Sequence, residues 1–330
     1  SVETAHERSS TLSARRFPSS PVVGCASHGT ALAARRLQLS AFARGQCDRL
    51  ARAPVGSATC GRPYDDGVHT AVALTIAGSD PSGSSGLQAD IPTFASFGVH
   101  ATSVLTLVTA QNSVGIQQFH PLSPELVAAQ LESLLADMPP KATTTGLLFS
   151  APVLAAVAAR ASELGQLVVD PVMVNSAGQL IVEQQVVEQY RSLCAHAVVI
   201  TPNRWEAELL VGSARVLEDA DAVVGAAEAL RDLGADTVVV TGGRGNDPRA
   251  VDVLISQHGV EVVASERVGE EIIRGTGCTF SAAVVARLAQ GAPPADAISA
   301  ARRFVQLQLG AAGRAIGSGR PGVPHVFARE

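Results

Sequence analysis

Five short apolar runs recur along the chain at 72–78, 104–108, 167–169, 198–200 and 238–240, and helical patterns lie between them. Runs of this length suit strands buried on both faces. The segment 150–164 opens on Ser150 and Pro152 and stops at Gly165. It places Val153, Leu154, Val157 and Ala161 on one helical face. Segments 123–136 and 219–233 carry the same period. Strands alternating with helices predict an α/β fold: a central, mostly parallel β-sheet with helices on both faces, in a single domain.

That architecture constrains where a ligand goes. In open α/β sheets ligands bind outside the carboxyl ends of the strands. Here those ends read Gly78-Ser79-Asp80, Ala110-Gln111-Asn112, Asp170-Pro171, Thr201-Pro202-Asn203 and Thr241-Gly242-Gly243. The five tips are expected to face one crevice. The first opens directly into 80–86, which reads as a flexible loop.

A sixth stretch, Arg274-Gly275-Thr276-Gly277-Cys278-Thr279-Phe280-Ser281, turns on glycines and leads into a helix closed by Gly291 and Pro293. A glycine turn opening a helix aims several backbone N–H groups and the positive end of the helix dipole at one spot, which makes an anion site. Cys278 falls in the first turn, where that field favours thiolate. A polarised group beside an anion cradle points to phosphoryl transfer, a reaction that needs positioning and charge stabilisation above all. Taken alone, the stretch also fits an ordinary glycine-started helix with a buried cysteine.

Composition removes several classes. The net charge is −5 and no basic block interleaves with aromatics, which argues against a nucleic-acid partner. No apolar run approaches the roughly 18–20 residues of a membrane span. The five cysteines, Cys25, Cys47, Cys60, Cys194 and Cys278, show no CxxC spacing and leave one over. That pattern fits a reducing compartment such as the cytoplasm. Residues 1–70 are rich in Ser, Ala and Arg, without sustained periodicity. They read either as a poorly structured extension or as an organellar transit peptide, with 31–44 as a short basic amphipathic helix. There is no GxxxxGK[ST]. Gly317-Ser318-Gly319-Arg320-Pro321-Gly322 matches GxGxxG, but no strand precedes it and Pro321 opposes a following helix, so it is not a dinucleotide fingerprint.

Six motifs stand in an order that resembles a known family. They are Ala77-Gly78-Ser79-Asp80-Pro81-Ser82-Gly83, Gln88-Ala89-Asp90, Thr109-Ala110-Gln111-Asn112, Val169-Asp170-Pro171-Val172-Met173-Val174, Thr201-Pro202-Asn203 with Glu206, and Gly275-Thr276-Gly277-Cys278-Thr279. The tail Ile316-Gly317-Ser318-Gly319 with Pro321, Val323 and His325 continues the likeness. Together they resemble the hydroxymethylpyrimidine/phosphomethylpyrimidine kinases of thiamine biosynthesis, within the ribokinase-like superfamily. The resemblance makes 71–330 a ribokinase-like kinase domain and implies a homodimer. The reaction it implies is ATP-dependent phosphorylation of 4-amino-5-hydroxymethyl-2-methylpyrimidine, then of the monophosphate.

Carried over by motif, Gln111 is to hydrogen-bond the aminopyrimidine, with Gly78, Asp90 and Val174 around it and Leu147 covering the ring. Asn203 and Glu206 are to hold Mg²⁺ and triphosphate, with Asp170 beside them as a second metal ligand. Thr241 and Gly243 are to lie along the nucleotide. Gly275, Thr276 and Gly277 form the anion hole, and Cys278 takes the general-base position. The residue types suit these roles: Gln offers a donor and an acceptor, and Mg²⁺ takes hard oxygens. Simpler readings coexist, with Gln111-Asn112 closing a turn, Glu206 as a solvated acid at a helix start, and Met173 and Val174 as packing.

Several positions depart from the family pattern: Gly83-Ser84-Ser85-Gly86, Pro92, Thr144, Asn175-Ser176-Ala177-Gly178, Thr241, and Arg274 in place of a histidine. Most remove positive charge, which a pyrophosphate product can least spare, and Arg274 restores some. Two other readings follow: a pyridoxine/pyridoxal kinase on the same scaffold, and a degenerate pyrimidine-binding protein without catalysis.

Overall fold

The computed structural model describes residues 70–175, 178–212, 220–242, 249–267, 273–311 and 317–325. The expectations for the first 69 residues and for Gly243 lie outside these residues. Within them, nine strands form one sheet. In chain order the elements begin with β1 (Val72–Ser79), α1 (Leu87–Ser96), β2 (His100–Gln111) and β3 (Ile116–Pro121). They continue with α2 (Pro124–Asp137), β4 (Ala142–Thr145), α3 (Ala151–Ala158), β5 (Gln166–Val169), α4 (Gln184–Cys194) and β6 (Val199–Ile200). The last are α5 (Arg204–Val211), α6 (Ala220–Asp232), β7 (Thr237–Val240), β8 (Arg249–Ser256), β9 (Gly259–Glu266), α7 (Thr276–Ala289) and α8 (Pro294–Ala311).

The sheet order is β3-β2-β1-β4-β5-β6-β7-β8-β9. From β2 to β7 all neighbours run parallel, and antiparallel pairs close both flanks. All five apolar runs lie in the parallel part. Their alternation sorts two cores. Leu74, Ile76, Leu167, Val169, Val238 and Val240 face a layer containing α2 to α6. Ala73, Val168 and Val239 face α7 and α8 on the other side. Burial on both faces is why these strands read as continuous apolar runs.

Helix α7 is apolar on nearly every side, because it lies between the sheet and the outer helix α8. The expected helix over 150–164 is shorter. It ends at Ala158 and is followed by a 3₁₀ turn at Ala161–Glu163, the tighter winding common where a helix closes.

Strand order decides where the site sits. β1 connects outward to β2, whereas β4 lies on its other side, so the crossovers diverge between β1 and β4. Such a reversal opens a crevice at the carboxyl ends of the strands.

Candidate active site

A cleft of about 1180 Å³ opens at that reversal, and all five strand tips reach it. Every described residue given a role above lines it: Gly78, Asp90, Gln111, Leu147, Asp170, Val174, Asn203, Glu206, Thr241, Gly275, Thr276, Gly277 and Cys278.

At one end, α1 carries Asp90 under the tip of β1. Thr75 donates its hydroxyl to Asp90 Oδ2 at 2.6 Å, and Oδ1 is buried without a partner. Burial, with Asp170 adding to it, pushes this carboxyl up to about 8. At neutral pH Asp90 is therefore a carboxylic acid with a hydrogen to give. Gln111 ends β2 and lines the cleft, its Oε1 3.2 Å from the Thr109 hydroxyl, which also donates to the Ser79 carbonyl at 2.9 Å. Leu147 and Val174 supply apolar wall. An aromatic pair that the motifs did not single out, Phe119 and Phe149, also lines the cleft, with ring centroids 4.8 Å apart. Phe149 adopts φ 65°, a left-handed conformation rare outside glycine and often found where function holds it.

The middle of the cleft holds Asp170, at the end of β5. Ser281 donates to its Oδ2 at 3.2 Å, and burial pushes the carboxyl up to about 7. Asn203 and Glu206 form a capping box on α5: Asn203 Oδ1 accepts from the Glu206 N–H at 3.1 Å, and Glu206 Oε2 from the Asn203 N–H at 3.0 Å. Glu206 Oε1 also accepts from the Met173 N–H at 3.4 Å. The acid caps as expected of a first-turn residue, but it is buried rather than solvated. Thr241 is held beside Asn203 by its N–H bond to the Pro202 carbonyl.

The glycine turn faces these acids. Gly275 caps α7 at φ 82°, and a Cβ there would lie 1.7 Å from the Ser84 carbonyl oxygen. Only glycine allows the turn and the approach together. A Cβ on Gly277, by contrast, would meet only Asp170 Oδ2 at 4.0 Å, so room is left where the helix start points. The expected thiolate is corrected. Burial pushes the Cys278 thiol well above its ordinary value, and Asp170, Asp90 and Glu206 push the same way. A bond from the Gly86 backbone opposes them without prevailing. Desolvation beside buried acids outweighs one helix terminus.

The loop at 80–86, read as flexible from its glycines and serines, carries hydrogen bonds of its own. Asp80 Oδ1 accepts from the N–H and hydroxyl of Ser82, and Oδ2 from the Ser85 hydroxyl. The Arg274 guanidinium lies 3.1 Å from Oδ2. Neither Asp80 nor the aromatic pair carried a role in the motif reading. Asp80 stood inside a quoted motif as a mere loop residue. Phe119 lies on β3, whose sequence shows no apolar alternation. The GxGxxG match at 317–322 opens no helix, and instead packs Gly319 onto Ser113 and Gly322 onto Ser84.

Known proteins are similar to this chain in sequence and fold. A sequence profile described as phosphomethylpyrimidine kinase matches residues 80–323. A hydroxymethylpyrimidine/phosphomethylpyrimidine kinase of Synechococcus elongatus is 38% identical over 259 residues, covering 78% of this chain and 97% of that one. The ADP complex of Bacillus subtilis pyridoxal kinase superposes with a TM-score of 0.72 at 36% identity, covering 77% of this chain and 97% of that one. A phosphomethylpyrimidine kinase of Clostridium difficile gives 0.64 at 30% identity, over 72% and 99%. The profile spans both the loop that begins at Asp80 and the glycine turn at 275–277, and so covers most of the residues that line the cleft: this chain belongs to the phosphomethylpyrimidine kinase family.

Proposed function

We propose that the protein phosphorylates 4-amino-5-hydroxymethyl-2-methylpyrimidine from ATP, and then phosphorylates the monophosphate, in thiamine biosynthesis. The observation that supports this is one cleft lined both by the glycine turn that starts α7 and by Gln111 and Asp90, whose carboxyl is pushed up to about 8. Gln111 reads the aminopyrimidine edge, and the Asp90 hydroxyl donates to a ring nitrogen. Leu147 and Val174 sandwich the ring, leaving its hydroxymethyl toward Gly277.

The backbone N–H groups of Thr276, Gly277 and Cys278 receive the transferred phosphoryl and stabilise charge as it spreads over the oxygens. Thr241 and Gly243 lie along the nucleotide. Among the described residues no group of three or more His, Cys, Asp or Glu side chains can cage a metal. One or two carboxylates suit Mg²⁺, which keeps waters and takes phosphate oxygens. Asp170 fits this best, and Glu206 reaches the same cleft only by sharing its capping oxygens. When bound, the cation neutralises phosphate charge and favours ionised Asp170. Cys278 starts as a thiol, so its part in taking the hydroxyl proton belongs to the liganded state.

A coupled ADP-release assay with the pyrimidine, its monophosphate and pyridoxine tests the reading. The highest kcat/KM is expected with the pyrimidine, and turnover of the monophosphate. Pyridoxine as the better alcohol supports the second reading, which the likeness to the Bacillus pyridoxal kinase favours. Calorimetric binding of the pyrimidine with no ADP formed supports the non-catalytic one.

The same reading includes a homodimer. Val108, Val114, Ile116 and Phe119 leave large apolar side chains exposed on and beside the flanking strand β3, and a second copy would cover them. Sedimentation at the monomer mass would exclude it. No helix among the described residues is long and apolar enough to cross a membrane. We place the enzyme in the cytoplasm, with 1–70 as an extension to the kinase domain. Import of a reporter fused to 1–70 into an organelle would overturn that placement.

A further inference from the structure

Arg274 is a cleft residue that the roles above leave unused, and it bonds three separate segments at once. Its Nη2 donates to Asp80 Oδ2 at 3.1 Å, and its Nη1 to the Asn112 carbonyl at 2.8 Å. Its backbone N–H donates to the Pro321 carbonyl at 2.8 Å, and its own carbonyl accepts from the Val323 N–H at 3.0 Å. The guanidinium and the Asp80 carboxylate are both nearly buried, with side chains 11% and 4% exposed. The planar guanidinium holds its donors in a rigid fork that serves both acceptors at once, whereas an ammonium is a compact charge on a flexible stem.

The loop that this pair holds bears directly on the chemistry. Ser84 sets its carbonyl over Gly275, so close that a Cβ there would lie 1.7 Å from the oxygen, and the Gly86 backbone works against the rise of the Cys278 thiol. We propose that Arg274 and Asp80 are a positioning pair, which fixes the 80–86 loop against the glycine turn and so sets Cys278 and the backbone donors in one frame. Its effect on turnover rests on the kinase reading; its effect on the loop does not. Receiving an acceptor phosphate would require Arg274 to leave Asp80, whose remaining partners are the two serines.

The test compares Asp80→Asn with Arg274→Gln in the full chain. Alkylation of Cys278 by iodoacetamide is followed by peptide mapping at one fixed pH without nucleotide, and kcat and KM are measured separately. The acids facing Cys278 from other elements, Asp90, Asp170 and Glu206, stay intact in both variants. Release of the loop predicts faster alkylation in both. It also predicts a kcat lowered by about tenfold or more with the ATP KM little changed, because small misplacements are costly near the reacting atoms. Arg274→Lys, which keeps one bond to Asp80, should recover part of the rate. The milder Ser85→Ala, which removes a single bond to Asp80, should shift alkylation the same way by less, and it serves if either charge variant fails to fold.

Opposite shifts, faster for Asp80→Asn and slower for Arg274→Gln, would mean a charge effect alone and overturn the pair. So would unchanged alkylation in both, or a loss in Arg274→Gln confined to the KM for the monophosphate. A wild-type protein with no turnover refutes the kinase reading and leaves the alkylation comparison intact.

Discussion

Two acids of the same cleft are held in opposite ways. The Asp80 carboxylate accepts four hydrogen bonds, three from its own loop and one from Arg274. Asp90 accepts one, from Thr75, and keeps a buried oxygen bare. A saturated carboxylate is architecture, since nothing further can bind it without breaking something. An unsaturated one, buried at a cost in desolvation, is a group kept ready for a ligand. The same division runs through the rest of the site. Glu206 is committed to a helix cap, and Asp170, whose carboxyl accepts from Ser281 alone among the described residues, stands beside the open space at Gly277.

The largest effect should come from breaking the architectural side at its tightest point. Gly275→Ala places a methyl group on the Ser84 carbonyl and strains a left-handed φ. The turn then moves, and with it the backbone donors proposed to receive the phosphoryl. A loss of about 10²–10³-fold in kcat is expected, the scale of losing a preorganised donor. Gly277→Ala, which meets no close neighbour, should bind nucleotide less well only where the methyl intrudes on ligand. Nucleotide titration beside the rate measurement separates the two. A Gly275→Ala enzyme with near-normal kcat would show that the turn is not the phosphoryl seat.

The next effect sharpens the other side. The folded Asp90 carboxyl titrates near 8, against an ordinary value of 3.8, and that of Asp170 near 7. Between those limits the folded state holds a proton that the unfolded chain has released. Stability is therefore lost as pH rises from about 4 to about 8, and the penalty is absent below the lower limit. Asp90→Asn removes its share. The variant should match the wild type in thermal unfolding near pH 4 and exceed it at pH 8, by a few kcal/mol at most. Its kcat/KM for the pyrimidine should fall about tenfold, because an amide is a poorer mimic of the acid at its second oxygen. A constant Tm difference across the pH range would mean that Asp90 is ionised in the fold.

How much of this was legible follows the same division. The strands buried on both faces announced themselves as apolar runs, and their tips were correctly expected to share a crevice. β4 did not, because its Ala-Thr-Thr-Thr carries hydroxyls that the fold takes inward; Thr143 donates to the Leu164 carbonyl at 2.6 Å. The hairpin of β8 and β9 was also missed, since one face of β9 is open and its alternation is mixed with acids. In the site, residue types and order gave the participants. They did not give the ionisation of Cys278, which depends first on its burial and then on three acids brought from distant parts of the chain. Nor did they give the grip of Arg274 on Asp80, 194 residues apart.

A smaller effect is expected at Glu206. Both of its oxygens accept backbone N–H groups, so Glu206→Gln keeps one acceptor and loses part of the capping box. About 1 kcal/mol of stability should go, the ordinary scale for a cap. If Glu206 also shares a bound cation, the Mg²⁺ concentration for half-maximal rate rises several-fold. A changed Mg²⁺ dependence without any change in stability would reverse the assignment of Glu206 to the architectural side.

The smallest effect compares two serines that look alike in the sequence, each before a proline-started helix. Ser123 accepts the Leu126 N–H at 3.3 Å, whereas Ser150 occupies the same position before α3 without a side-chain capping bond. Ser123→Ala should cost about 0.5–1 kcal/mol in denaturant unfolding, toward the weak end for a cap because the bond is long. Ser150→Ala should cost almost nothing beyond its altered local backbone preference. Equal losses would mean that position alone, rather than the bond, carries the capping energy. That result would weaken the distinction drawn between Asp80 and Asp90, because it too reads a side chain's role from the partners it has and the partners it lacks.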